Sequence, residues 1–128
     1  MLLITRGRRT GRWHTTPLEF GYDPHNDTYD VMTGWGGKSD WYQNALENPE
    51  VRVWVGKRKF IGRAEKASET YVIEVMKMIM EGNQRAADVW GMLSGVAIDG
   101  TDDSWRANAA YFPMLILHPD EEILDFPP

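Results

Sequence analysis

Two glycine-bracketed segments carry the side chains best suited to chemistry. The first runs Gly7-Arg8-Arg9-Thr10-Gly11-Arg12-Trp13-His14, and with Arg6 it places four arginines within seven residues with no acid among them. Guanidinium forks match the oxygens of phosphate and carboxylate groups, and a glycine turn lets backbone amides face the same anion. The second runs from Gly34-Trp35-Gly36-Gly37-Lys38 to Trp41, Tyr42 and Asn44. Flat aromatic rings beside glycines suit a planar ligand, although Trp41 and Tyr42 equally suit the buried side of a short helix. Each segment adjoins a strand end. Together they describe a site for an anionic, planar ligand.

Other chemistries have no anchor in the sequence. There is no cysteine, which removes thiol catalysis, disulfide scaffolds and cysteine-bearing metal sites, and makes a reducing cytoplasm the expected location. His14, His25 and His118 fall on different elements without a carboxylate at ligand spacing, so no metal site is expected. Neither a nucleophile elbow, a phosphate loop nor a dinucleotide glycine fingerprint is present. The net charge is −5, with acids concentrated at Asp99–Asp103 and Asp120–Asp125. Against that background the arginine cluster is too narrow a stripe for nucleic acid and fits a small anion better. The longest apolar runs fall far short of the ~20 residues that span a bilayer. With 128 residues and 42% hydrophobic content, one domain over 1–128 is expected.

The elements that must position these segments follow from hydrophobic period and turn chemistry. Leu2–Thr5 reads as a strand, residues 7–11 as a turn, and Trp13–Tyr22 as the returning arm; Asp23–Asp27 turns the chain into a strand at Thr28–Thr33. Ser39 is placed to cap a helix over Asp40–Glu47, with Asn48-Pro49 as its stop. Val51–Val55 and Phe60–Ala67 form a hairpin. The spacing of Tyr71, Val72, Val75, Met76, Ile79 and Met80 predicts an amphipathic helix, and Gln84–Leu93 a second helical piece. Gly95–Asn108 reads as a loop, and Tyr111–His118 as the last strand. The fold class is therefore α+β, built on an antiparallel sheet that curls toward a small barrel.

Thr5-Arg6-Gly7-Arg8-Arg9-Thr10-Gly11, His14, Pro17-Leu18, Gly36-Gly37, Trp41-Tyr42, Asn44 and Asn48-Pro49-Glu50-Val51 together resemble the deazaflavin-dependent nitroreductases, small flavoprotein relatives that use coenzyme F420. The similarity runs from Leu2 to about Ala67 and returns weakly at Phe112–Pro119. The resemblance implies a split β-barrel of about six antiparallel strands with two to three flanking helices. It implies that Arg8, Arg9 and His14 hold the phosphate and acidic tail of the coenzyme, with Thr10 in the same binding loop. Thr16 and Pro17 would border the deazaflavin ring. Backbone N–H groups of Gly34, Trp35, Gly36 and Gly37 would contact it, and Trp41, Tyr42 and Asn44 would fix that loop and the helix start. His14 stands where such proteins usually carry Arg, and Gly34-Trp35 where a small hydroxyl residue and a Lys are common; Lys38 is the residue that can replace that cation.

The expected activity is hydride transfer from reduced F420 to a small-molecule acceptor, a nitro compound, quinone or activated alkene. A non-catalytic flavin or deazaflavin carrier of the same fold, or an FMN-dependent enzyme, is the alternative. No residue is singled out as a proton donor. A homodimer through a sheet face is one arrangement the sequence leaves open.

Overall fold

Strand alternation organises the chain in the computed structural model, which describes residues 1–124. Leu3 and Thr5 of β1 (Leu2–Arg6) are buried while their neighbours are partly exposed, so one face of the strand points inward. β1 pairs antiparallel with β2 (Trp13–Pro17) and with β5 (Glu50–Val55); β5 pairs with β6 (Arg58–Lys66). β6 continues to β7 (Met114–Glu122), β4 (Thr28–Met32) and β3 (Gly21–Asp23), giving one curled seven-stranded sheet in the order β2-β1-β5-β6-β7-β4-β3. This is the half-barrel expected, with one more strand because the arm over Trp13–Tyr22 breaks after Pro17 and resumes at Gly21.

The two faces of the sheet are covered differently. Inside, Leu3, Val31, Val51, Val53, Phe60, Leu115 and Leu117 pack with Tyr42 and Ala45 of α1 (Asp40–Glu47). Outside, Met32, Met114 and Ile116 pack with Val72 and Met76 of α2 (Glu69–Glu81) and with Trp105 and Ala109 of α4 (Asp102–Tyr111). α3 (Gln84–Ser94) adds the buried Ala87 and brings Trp90 against the same cluster. Residues directly opposite in an antiparallel pair share a face, so the register Tyr29↔Leu117 and Val31↔Leu115 inward, with Met32↔Met114 outward, accounts for both cores.

Two expectations are corrected. Gly95–Asn108 is not a loop throughout, and Tyr111 is not on the last strand: Asp102–Tyr111 is helical, and the strand begins at Met114. Thr101 caps α4 by accepting a hydrogen bond from the Ser104 amide at 3.2 Å, and Asp102 and Asp103 lie at the favourable end of the helix dipole. Asp99 accepts from both the amide and the hydroxyl of Thr101, which together hold its pKa at about 2. Acidic residues that read as a solvated loop are thus the entrance to a helix. Of the acids at Asp120–Asp125, Asp125 lies outside the described residues.

Arg58 ties three strands together at one end of the sheet. Its Nη1 and Nη2 donate to Asp27 at 2.6 and 2.9 Å, its Nε to Glu122, and its Nη1 also to the Tyr29 hydroxyl at 3.2 Å. The Arg58 guanidinium, followed by the Tyr22 hydroxyl, holds the Asp27 carboxyl below the usual carboxylate range. Its contribution to stability is therefore present above the ordinary carboxylate pKa and is lost as pH falls through the lowered one. Acid unfolding followed by circular dichroism should show a shallower dependence below about pH 4 in Asp27→Asn than in the parent. Phe60→Ala, which empties a fully buried position, should lower the unfolding free energy by about 3–5 kcal/mol in urea titrations.

Candidate functional site

The β1–β2 hairpin and the start of α1 enclose a cavity of about 480 Å³ lined by Gly7, Arg8, Arg9, Thr10, Arg12, His14, Thr15, Thr16, Asp40, Trp41 and Asn44. The hairpin turn is closed by the Gly7 amide donating to Arg12 O at 2.6 Å and the Gly11 amide donating to Gly7 O at 3.0 Å. Register places His14 opposite Thr5 and Thr16 opposite Leu3, so both rise from the inward face of β2. A Cβ on Gly7 would sit 3.1 Å from both Arg12 O and His14 Nε2, so a larger residue there would crowd the turn against the imidazole. Among the predicted residues, Arg8, Arg9, Thr10, His14, Thr16, Trp41 and Asn44 are brought together here. Arg12, Gly7, Thr15 and Asp40 join them; the arginine cluster already contained Arg12, whereas Asp40 signalled only a helix start.

Arg8 is oriented by the helix. Its Nη1 donates to Asn44 Oδ1 at 2.7 Å, its Nη2 to Asp40 Oδ1 at 3.1 Å, and its backbone amide to the same Asn44 Oδ1 at 3.2 Å. Four residues on, Asn48 Nδ2 donates to Arg6 O at 3.3 Å, so one face of α1 binds both flanks of the turn. Much of Arg8's donor capacity is thereby committed within the protein, while Arg9 and Arg12 are exposed. The cavity therefore presents a cation whose position is set by the helix and two that reach into solvent, with Asp40 as the only acid in its lining.

The glycine turn of the second segment, residues 34–38, lies outside this cavity's lining, although Trp41 and Asn44 of the same segment are in it. Trp35–Gly37 forms a single 3-10 turn, with Trp35 69% exposed and at a positive φ of 49°. The turn is pinned from both sides: Gln43 Nε2 donates to Gly37 O at 2.7 Å, and the Thr33 amide donates to Pro113 O at 3.0 Å. The Ser39 hydroxyl makes no capping bond to α1; it pairs with Thr33 Oγ1 at 2.6 Å. Gly37 has φ 83°, and a Cβ there would meet the Tyr42 ring at 2.8 Å, so Tyr42 is the buried support of the turn. Burial pushes its phenol pKa up. The Gly37 N–H donates to Gly34 O at 2.9 Å and is already used within the turn. Pro17 and Lys38 are exposed and do not line the cavity.

A family model described as F420H(2)-dependent quinone reductase matches residues 1–88. An F420H(2)-dependent quinone reductase of Mycobacterium tuberculosis (strain H37Rv) is 35% identical over 63 residues, 47% of this chain and 41% of that protein. The match thus spans about two-fifths of the length of that curated relative. Among solved structures, a domain-swapped dimer superposes with a TM-score of 0.61 at 20% identity, covering 91% of this chain and 78% of the other. A putative pyridoxamine 5'-phosphate oxidase from Listeria innocua superposes with a TM-score of 0.58 at 15% identity, covering 95% and 86%. These likenesses establish the fold.

The hydrogen bonds around Arg8 separate two kinds of stabilisation. Asn44→Ala leaves a guanidinium and a backbone amide without their buried acceptor and should lower the unfolding free energy by about 1–3 kcal/mol. Asp40→Ala removes only a solvent-facing partner, and its effect should stay within about 1 kcal/mol in the same urea titration.

Proposed function

The chain belongs to the F420H(2)-dependent quinone reductase family, and from that premise we propose that it binds reduced coenzyme F420 and reduces a small acceptor. Quinones are the first acceptor class, with nitro compounds and activated alkenes as the others. The observation that carries this reading is the arginine-lined cavity between the β1–β2 hairpin and α1. Its donor set is cationic and hydroxyl-rich, which suits the phosphate and carboxylates of the coenzyme's tail. Gly7 lets the Arg12 carbonyl and the His14 imidazole close against the turn, which keeps the imidazole beside the arginines.

In this reading Arg9 and Arg12 make the anion contacts, since both side chains are exposed at the rim. Arg8, held by Asn44 and Asp40, fixes the shape of the turn and sets the sign of the local field. Thr10 and His14 complete the polar wall. Thr16 and Trp41 border the planar part, and the Gly34–Gly37 turn with Lys38 serves the acceptor side, with the exposed Trp35 as an aromatic surface for it. When bound, the coenzyme supplies a hydride; the protein's share is to orient it, to neutralise its tail and to keep water from the transfer. A cytoplasmic setting, where a reduced coenzyme and its acceptors meet, belongs to the same proposal.

Fluorescence titration of the purified chain should show tighter binding of F420 than of FMN, and reduced F420 should be consumed on adding a quinone. Binding without consumption would indicate a carrier. Arg9→Ala combined with Arg12→Ala should weaken F420 binding by at least about tenfold, most steeply at low ionic strength, with the unfolding midpoint unchanged. Equal affinity in the double variant would count against this placement of the tail.

A further inference from the structure

The outer face of β3 and β4 borders a second cavity, separated by the sheet from the arginine-lined one. It encloses about 1050 Å³ between these strands, α2 and α3. Its apolar walls are Met78, Ile79 and Val89, each at least 40% exposed, together with Trp90. So many large apolar side chains facing solvent around one concavity are the mark of a binding surface.

The cleft contains one polar focus. The Tyr71 hydroxyl donates to Asp30 Oδ2 at 2.8 Å. Burial, followed by the hydrogen bond to Asp30, pushes the Tyr71 pKa far above its ordinary value, so the phenol keeps its proton and remains the donor. Asp30 Oδ1 has no hydrogen-bond partner among the described residues. Across the strand pair, Gly21 faces Asp30, and a Cβ on Gly21 would lie 2.6 Å from that oxygen. Glycine at this position therefore leaves Oδ1 uncovered. The remaining charged groups of the lining are Glu19, Asp23 and Glu74 against a lone Arg85, so the apolar walls sit in a negative field. Asp23 is already engaged by the amides of His25 and Asn26 and by the Asn26 side chain, so of the two acids on the β3–β4 strands it is Asp30, held in place by Tyr71, that is open as an anchor.

We propose that this cleft binds an amphiphilic cation, with an aromatic or alkyl body against Met78, Ile79, Val89 and Trp90 and its positive head beside Asp30 Oδ1. Charge complementarity selects the cation, and the volume suits a drug-sized molecule. The site is independent of the coenzyme reading, because the two cavities lie on opposite faces of the sheet.

The test uses two ions of the same shape and opposite charge, tetraphenylphosphonium and tetraphenylborate, titrated calorimetrically into the full chain. The phosphonium should bind at least about tenfold more tightly than the borate. Asp30→Asn, which keeps an acceptor for Tyr71, should remove most of that preference, and Val89→Lys, at an exposed wall position, should abolish phosphonium binding. Unchanged unfolding midpoints would show that both variants fold. Equal affinity for the two ions, binding of neither, or a preference that survives both substitutions would overturn the proposal. Neither variant touches the arginine-lined cavity, so loss of phosphonium binding and loss of coenzyme binding are scored separately.

Discussion

The buried amide oxygen of Asn44 fixes the relation between the first hairpin and the first helix. It accepts from the backbone and the guanidinium of Arg8 across a sequence separation of 36 residues. The turn is closed by its own backbone hydrogen bonds, and this acceptor adds the contact that sets one of its four arginines against the helix. Asn48 repeats the contact on the other flank of the turn. The helix thus holds the hairpin in one conformation, and a ligand arriving at the cavity meets a surface already shaped, with less entropy of ordering to offset.

The curled sheet then divides the labour. Its inner face makes the hydrophobic core that carries α1, and its outer face carries α2, α3 and α4. The Gly34–Gly37 turn joins the two sides, since it rests on Tyr42 and Gln43 from α1 and lies beside Phe112 and Pro113 at the end of α4. A residue with positive φ and a largely exposed indole, as at Trp35, persists only because that surround is fixed on both sides.

How much of this could be read from the sequence depended on whether the signal was local. Helix α1 spans the predicted residues because Asp40 suits its first turn and Asn48-Pro49 stops it, although the Ser39 hydroxyl bonds Thr33 instead of capping it. The hairpin of β5 and β6 and the amphipathic α2 follow from periods of two and of three to four residues. Helix α4 was illegible because its inward positions are few, Trp105 and Ala109 with the polar Ser104 and Asn108, and it is flanked by Gly95, Gly100 and acids. Asn108 is fully buried and bonded to Val96 O, Ser104 O and Ser94 Oγ, a long-range solution that no hydrophobic pattern announces. At the candidate site the arginine turn was legible as a turn. Arg8's inward partners were not, because Asp40 and Asn44 lie more than thirty residues away and belong to a different element. The cleft over Asp30 was not legible either, since it is made by strands and helices that meet only in the folded chain.

That the sheet stands between the two cavities has a consequence for how sequence change accumulates. Away from the Gly34–Gly37 turn, substitutions on opposite faces act on different core clusters, so their effects on stability should largely add, whereas changes within one chamber alter a common set of contacts and couple. The outer chamber, where exposed side chains of α2 and α3 form the wall, can then diversify its ligand with little disturbance to the inner one. Selection can act on the two halves of this small protein almost as if they were separate modules.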